Sequence, residues 1–347
     1  MVNSNTSQIY SRPHVVLLGA GASCATIPNG DKNGKKISAM DGFLQKSGID
    51  VLLKGYDIST KSKNLEDIYV EIDEKSKNDK DFVKLKNNIE NSIQTYMESF
   101  QLPDQATIYD LLILSLTKKD LIATFNWDPM LIQAVRRVLK FTQNTPKIVF
   151  LHGNVSAGYC PNCNLTGNKN AICIRCHHRL QNFPLLYPVK DKNYSSSLAI
   201  KSSWYEVQRC LEKAYIFTIF GYSAPKTDVE AVSLMKNAWN SIRERKLEEI
   251  EIIDIKSEND VVNSWSDFIF QDHYTYCRSF FESSLAKYPR RTCETMWAQI
   301  MESRFVNGAT GFNDSIKSLD QAYGIIKSLD TEENNGTSRS IPYLQEL

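Results

Sequence analysis

Two cysteine pairs of identical spacing carry the clearest chemistry in this chain: Cys160-Pro161-Asn162-Cys163, then Cys173-Ile174-Arg175-Cys176. Thiolates paired in this way suit a closed, tetrahedral zinc site, in which the metal clips a loop too poor in apolar residues to hold itself. Chance clustering and disulfides in a secreted chain are the alternatives. The repeated spacing speaks against the first, and the polar Met1–Arg12 stretch, which lacks an apolar signal core, speaks against the second. A structural Zn2+ on Cys160, Cys163, Cys173 and Cys176 is therefore expected.

A second set of reactive or ligand-binding residues lies at the ends of short apolar runs. His14–Leu18 stops at Gly19-Ala20-Gly21-Ala22-Ser23, and Asp120–Thr124 is followed by Asn126 and Asp128. Lys147–Leu151 meets His152-Gly153, Tyr215–Phe220 meets Gly221-Tyr222-Ser223, and Glu249–Ile253 meets Asp254. In open parallel sheets, ligands sit beyond the carboxyl ends of the strands. Glycines there let backbone N–H groups approach a pyrophosphate, and an acidic residue such as Asp254 suits a ribose hydroxyl. Taken singly, each has an ordinary alternative: a tight strand-to-helix turn at Gly19–Gly21, a turn or cap residue in Asn126, a packed or solvated ring in His152. The glycine signal is also incomplete, because Cys24 stands where a dinucleotide fingerprint has its third glycine.

The elements that must position these residues are legible as a pattern. Apolar runs alternate with helical stretches, which predicts an α/β fold: a Rossmann-like, mostly parallel sheet with helices on both faces. Helical periodicity in Ile68, Ile72, Phe82, Leu85, Ile89, Ile93 and Met97 marks a helical insertion over about residues 40–118. The cysteine ribbon covers about 157–180. Residues 1–260 are expected to form the catalytic domain, and 261–347 a helical C-terminal region that ends, after about Ser328, in a polar and disordered tail. That region is rich in aromatics: Trp265, Phe268, Phe270, Tyr274, Tyr276, Phe280, Phe281 and Trp297. Their own core is the favoured use, with an assembly surface as the alternative.

Of the 347 residues, 42% are hydrophobic, and the net charge is +1. That balance gives no global electrostatic attraction to nucleic acid or anionic membrane. Apolar runs reach strand length, as in Ala214–Phe220, and not the length of a membrane span. Cys24, Cys210, Cys277 and Cys293 are scattered without a pairing pattern, which suits reduced thiols in a cytoplasm.

Taken together, these pieces resemble the sirtuin family. The resemblance rests on Gly19-Ala20-Gly21-Ala22-Ser23, the turn carrying Thr124, Asn126 and Asp128, Leu151-His152-Gly153 and the cysteine ribbon that follows. Gly221-Tyr222-Ser223 falls where sirtuins have a Gly-Thr-Ser turn against the cofactor ribose. The match runs from about Val15 to Ile255. It implies that His152 is the base handling ribose hydroxyl protons and that Asn126 orients water near the nicotinamide-ribose carbon. Gly19, Ala20, Gly21 and Ser23 would hold the pyrophosphate and neighbouring ribose, and Asp128, Gly221, Ser223 and Asp254 would complete the NAD+ site.

The chain departs from the family's deacylases at several points. Phe125 replaces Gln before the Asn, and Ile27-Pro28 runs into Asn29-Gly30-Asp31-Lys32 rather than Asp-Phe-Arg. The cysteine pairs are closer together, and Pro184–Trp204 shows no acyl-lysine peptide segment. These departures resemble the sirtuin-like NADases of bacterial antiphage systems, which cleave NAD+ with water. The resemblance implies an NAD+ glycohydrolase, homo-oligomeric, with a HerA-type ATPase as a candidate partner and activity gated by assembly through the region after Asp260. The complete cysteine ribbon is less usual in that group and keeps NAD-dependent protein deacylation as an alternative. A non-catalytic nucleotide- or nucleic-acid-binding module is a third possibility, through Lys169, Arg175, His177, His178 and Arg179, although so small a basic cluster is equally a solvated loop face. No membrane partner is expected.

Overall fold

Runs of aliphatic and β-branched residues make the strands that organise this molecule. A computed structural model describes residues 9–37, 42–62, 64–189, 194, 197–223, 228–239, 248–269, 273–307, 311–336 and 340–345. The strands are β1 His14–Leu18, β2 Leu121–Thr124, β3 Lys147–Phe150, β4 Ala157–Cys160, β5 Leu165–Asn168, β6 Gln181–Asn182, β7 Ile216–Phe220, β8 Glu249–Ile253 and β9 Tyr274–Cys277. Six of them form one sheet in the order β3-β2-β1-β7-β8-β9, and each neighbouring pair is parallel. The chain builds outward from β1 to β3, returns to β7 beside β1, and builds outward again to β9. The direction of growth therefore reverses between β1 and β7, the point at which open α/β sheets generally take their ligands.

The helices of two turns or more are α1 Ala20–Thr26, α2 Leu65–Ser76, α3 Lys80–Glu98, α4 Ile108–Ser115, α5 Met130–Val138, α6 Leu198–Leu211, α7 Val229–Trp239, α8 Glu258–Trp265, α9 Thr292–Met301 and α10 Leu319–Asn335. They cover both faces of the sheet, so β1, β2, β7 and β8 are buried at every residue. Side chains alternate across the pleat. Val16, Leu18 and Ile122 join the core built with the inserted helices, including Ile68, Ile72, Leu85, Ile89, Ile93 and Met97. Val15, Leu17, Leu121 and Ala123 join the opposite core with Trp204, Val207, Trp239 and Trp265. Asn64 and Asp79 cap α2 and α3 by accepting backbone N–H groups. Among the described residues, no helix is long and apolar enough to cross a membrane.

The C-terminal third differs from its sequence expectation. Tyr274–Cys277, expected to be helical, is β9, paired with β8 from Ile250↔Tyr274 to Ile253↔Cys277. Its aromatic and β-branched residues suit a half-buried edge strand. Trp265, Phe268 and Phe280 are fully buried, so these aromatics are core, and Trp265 is no surface anchor. Tyr274, Tyr276, Phe281 and Trp297 are half-buried, and Phe270 lies outside the described residues.

The polar stretch after Ser328 is likewise corrected. It continues α10, which opens with a Ser318–Gln321 capping box and closes at Gly336 in the left-handed conformation. Arg290, wholly buried, bonds Asp330 at 2.9 Å and Glu333, and Arg291 also reaches Glu333. Two arginines thus draw a polar helix end into the protein, and Tyr343 and Leu344 are buried beyond it. Replacing Arg290 by Met is expected to destabilise the fold by about 3–5 kcal/mol, because Asp330 would stay buried without its charge partner and Glu333 would keep only Arg291. Urea unfolding measures this, and a change below about 1 kcal/mol would show that the pairing contributes only as a surface bridge does.

Candidate active site

The turns that end β1 and β7 pack directly against each other at the point where strand order reverses. The Gly19 N–H donates to the Phe220 carbonyl at 3.0 Å, and the Gly21 N–H donates to the Gly221 carbonyl at 2.9 Å. A Cβ on Gly19 would sit 2.5 Å from the Gly221 oxygen, and one on Gly21 2.7 Å from the Gly221 Cα. Gly221 has φ +62°, and its own Cβ would fall 2.4 Å from the Ala22 nitrogen. All three glycines are therefore demanded by backbone contact between neighbouring strands. The Gly19 and Gly21 amides are engaged in that seam and the Gly221 amide bonds the end of β8, while Ala20 is exposed at the start of α1.

Asn126 is held over this seam by a network drawn from three parts of the chain. Its Nδ2 lies 2.8 Å from the Gly19 carbonyl, 2.9 Å from Ser23 Oγ and 3.1 Å from Tyr109 Oη. A carbonyl can only accept, so the NH2 end of the amide must face Gly19. Oδ1 then points away from the network, and among the described residues nothing donates to it. Ser23 gives its proton to Asp128 Oδ2 at 2.6 Å, and Asp128 Oδ1 accepts the Met130 N–H that opens α5. Burial pushes the Asp128 carboxyl above the ordinary carboxylate range, against the hydroxyl of Ser23 and the N–H of Met130, which pull it down. Ser23 and Asp128, expected among the cofactor contacts, are both buried and bonded to each other. In this arrangement Ser23 supports Asn126 directly and Asp128 does so through Ser23.

His152 follows β3, the strand next to the one that carries Asn126. Its ring meets the edge of Phe125, with centroids 4.6 Å apart, and lies parallel to the ring of Tyr194, whose hydroxyl is 3.3 Å from Nε2. Phe125 stacks on Tyr222 at 4.4 Å, and Tyr222 donates to Asp228 at 2.7 Å. An aromatic wall therefore runs from the β7 turn across Phe125 to His152. Asp254 lies beside Gly221, since the Gly221 N–H donates to the Ile253 carbonyl; its Oδ1 accepts the Lys256 N–H in a local turn. Ser223 is exposed just beyond the β7 turn. Glycine seam, Asn126 and His152 thus share one end of the sheet, with Ser223 and Asp254 at its rim.

The four cysteines converge as their spacing predicts. Their sulphurs all lie within 4.8 Å of one another, close to the separation of about 3.8 Å that tetrahedral bonds of about 2.3 Å would give. The two knuckles repeat one local fold. The Asn164 N–H donates to the Cys160 carbonyl and the His177 N–H to the Cys173 carbonyl, with Asn164 and His177 both at positive φ. Backbone N–H groups of Cys176 and Arg175 pull the Cys173 thiol down, whereas burial and the neighbouring cysteines push the Cys163 thiol up. The cluster suits a structural zinc closed to solvent ligands. It also supports His152. β4 leads from the His152 loop into the ribbon, and on the way out the Leu186 N–H donates to the His152 carbonyl at 2.9 Å. A Cβ on Gly153, at φ +84°, would lie 2.0 Å from the Pro184 oxygen.

Fold and site together define a doubly wound α/β protein with polar residues gathered at its switch point and a four-cysteine cluster in the ribbon that follows β3. No family model matches the chain, and no curated protein matches it. Among solved structures, a Sir2 homologue in complex with NAD aligns over 87% of this chain and 95% of its own, at 14% identity and a TM-score of 0.38. A structure on the mechanism and regulation of Sir2 enzymes aligns over 86% and 94%, at 14% identity and 0.36. One on sirtuin substrate affinity aligns over 81% and 96%, at 15% identity and 0.37.

Three participants carry no local sequence signal. Tyr109 comes from the inserted helix α4, and Tyr194 approaches His152 from the segment beyond the ribbon. Asn154 donates to the Asp128 carbonyl at 2.6 Å and so pins the turn that bears Asn126. Only its place two residues after His152 could have drawn attention to it.

Proposed function

We propose that this protein is an NAD+ glycohydrolase, cleaving NAD+ with water to nicotinamide and ADP-ribose. The observation that carries this reading is the Asn126 amide, locked with its oxygen outward at a switch point stripped of side chains, on the strand next to His152. The glycine seam brings the β1 and β7 turns together at the switch point, where Ala20 is exposed, and Asp254 at its rim suits a ribose hydroxyl. In the reaction, the bond between the ribose carbon and the pyridinium nitrogen breaks, and its electron pair leaves with neutral nicotinamide. Asn126 Oδ1 accepts a hydrogen bond from the attacking water, aligning its lone pair on the electron-poor carbon. The water's proton passes to the His152 imidazole, a ring suited to general-base work. Phe125, Tyr222 and Tyr194 line the approach with aromatic surface, which shields the carbon from bulk solvent. Cys160, Cys163, Cys173 and Cys176 would hold a zinc ion that supplies structure and stays outside the chemistry.

The finer reading is a defence effector that stays silent until assembled, as a homo-oligomer or with a HerA-type ATPase. Its support is the motif pattern: Phe125 in place of Gln, and no acyl-lysine segment over Pro184–Trp204. The decisive measurement is nicotinamide release from NAD+ by the purified chain, alone and with the product of its neighbouring gene, in the presence and absence of an acylated peptide. Release without peptide is expected. Release that requires the peptide would make the protein a deacylase, and intact NAD+ in every arm would make it a binding module.

A further inference from the structure

We infer that Tyr109 is a positioning residue for Asn126, tying the inserted helices to the reacting end of the sheet. The inference rests on the reading of Asn126 as the group that holds water. Proton counting gives the network a direction. Ser23 has one hydroxyl proton, which lies on Asp128 Oδ2 at 2.6 Å. Tyr109 Oη is 2.8 Å from Ser23 Oγ, and with the Ser23 proton already committed, Tyr109 must be the donor. Ser23 Oγ and Tyr109 Oη are then left as acceptors, and the two protons of the Asn126 NH2 go to Gly19 and to this hydroxyl pair. Reversing the amide would set Oδ1 against the Gly19 carbonyl and leave the NH2 facing outward, so the arrangement tolerates one orientation of Asn126.

Tyr109 is fully buried, and burial together with the nearby Asp128 carboxylate holds its hydroxyl in the protonated form. Its ring packs in the core shared by α1 and the inserted helices, so the hydroxyl reaches Asn126 from an element with no other expected part in the chemistry. A phenylalanine there would keep the packing and remove the bond.

Tyr109→Phe in the full chain, with NAD+ as the probe, is the test. Two readouts are combined. Hydrogen exchange of the Asn126 side-chain NH2 is followed by NMR on 15N-asparagine-labelled protein, with the signal assigned by its absence in Asn126→Ala. Steady-state cleavage of NAD+ gives kcat and KM separately. Exchange should quicken, and kcat should fall about tenfold at unchanged KM, the scale of one lost hydrogen bond. Ser23→Ala, which removes the hub of the network, should fall further in the same direction. Exchange unaltered by Tyr109→Phe would overturn the inference, and so would faster exchange with kcat intact. If the unsubstituted protein cleaves no NAD+ in any arm, the proposed function fails, and the exchange readout still decides whether Tyr109 holds Asn126.

Discussion

Replacing Asn126 or His152 by alanine is expected to lower NAD+ cleavage by about two orders of magnitude or more, equivalent to about 2.7 kcal/mol of transition-state stabilisation. The two losses should have different signatures. Without Asn126 the water is no longer aligned, and kcat should drop at all pH values. Without His152 the proton acceptor is lost, and the acidic limb of the pH–rate profile should vanish with it. Neither change is structurally silent. Asn126→Ala removes one of two donors to the Gly19 carbonyl and a donor to the Ser23–Tyr109 pair, at a cost of about 1 kcal/mol of stability. His152→Ala leaves a gap between Phe125 and Tyr194. Turnover must therefore be normalised to folded protein, with unfolding curves measured alongside. A variant that binds NAD+ and keeps near-normal turnover would remove that residue from the mechanism.

The second large effect is expected at the ribbon. Metal analysis of the purified protein should find about one equivalent of zinc per chain. Cys160→Ser combined with Cys163→Ser should abolish it, and structural zinc sites contribute on the order of 10 kcal/mol to the segments they fold. The damage should spread beyond the loop. The segment that leaves the ribbon carries the Leu186 N–H that holds the His152 carbonyl, and Pro184 packs on Gly153, so NAD+ cleavage should be lost along with the metal. Limited proteolysis between about residues 157 and 186 would report the opened ribbon. A zinc-free protein that is fully folded, with disulfides between these cysteines, would contradict the assignment.

Much of the fold was legible because its strands are buried on both faces. Such strands read as unbroken apolar runs between turn residues, as β1, β2, β7 and β8 do. β9 escaped because it lies at the edge, where Tyr274, Thr275 and Tyr276 alternate between half-buried and exposed positions without an apolar run. The end of α10 escaped for an electrostatic reason. Asp330 and Glu333 read as solvent-facing until Arg290 and Arg291, some forty positions earlier, bury them.

The site divides along the same line. By itself the sequence determined whatever depends on near neighbours: the thiolate pairs, whose spacing sets a knuckle, and the residue types that stop each strand. Which glycine meets which was decided by the tertiary structure, because only the return of the chain to β7 beside β1 brings Gly221 against Gly19 and Gly21. The partners of Ser23 and Asp128 were decided there too. From their positions in sequence they read as ligand contacts, and α4 delivers Tyr109 to the same spot, where the buried hydroxyls and carboxylate satisfy one another. A side chain's chemistry is written in its type, whereas the direction of its hydrogen bonds depends on partners that other elements bring. Asn126 turns its oxygen outward for that reason alone.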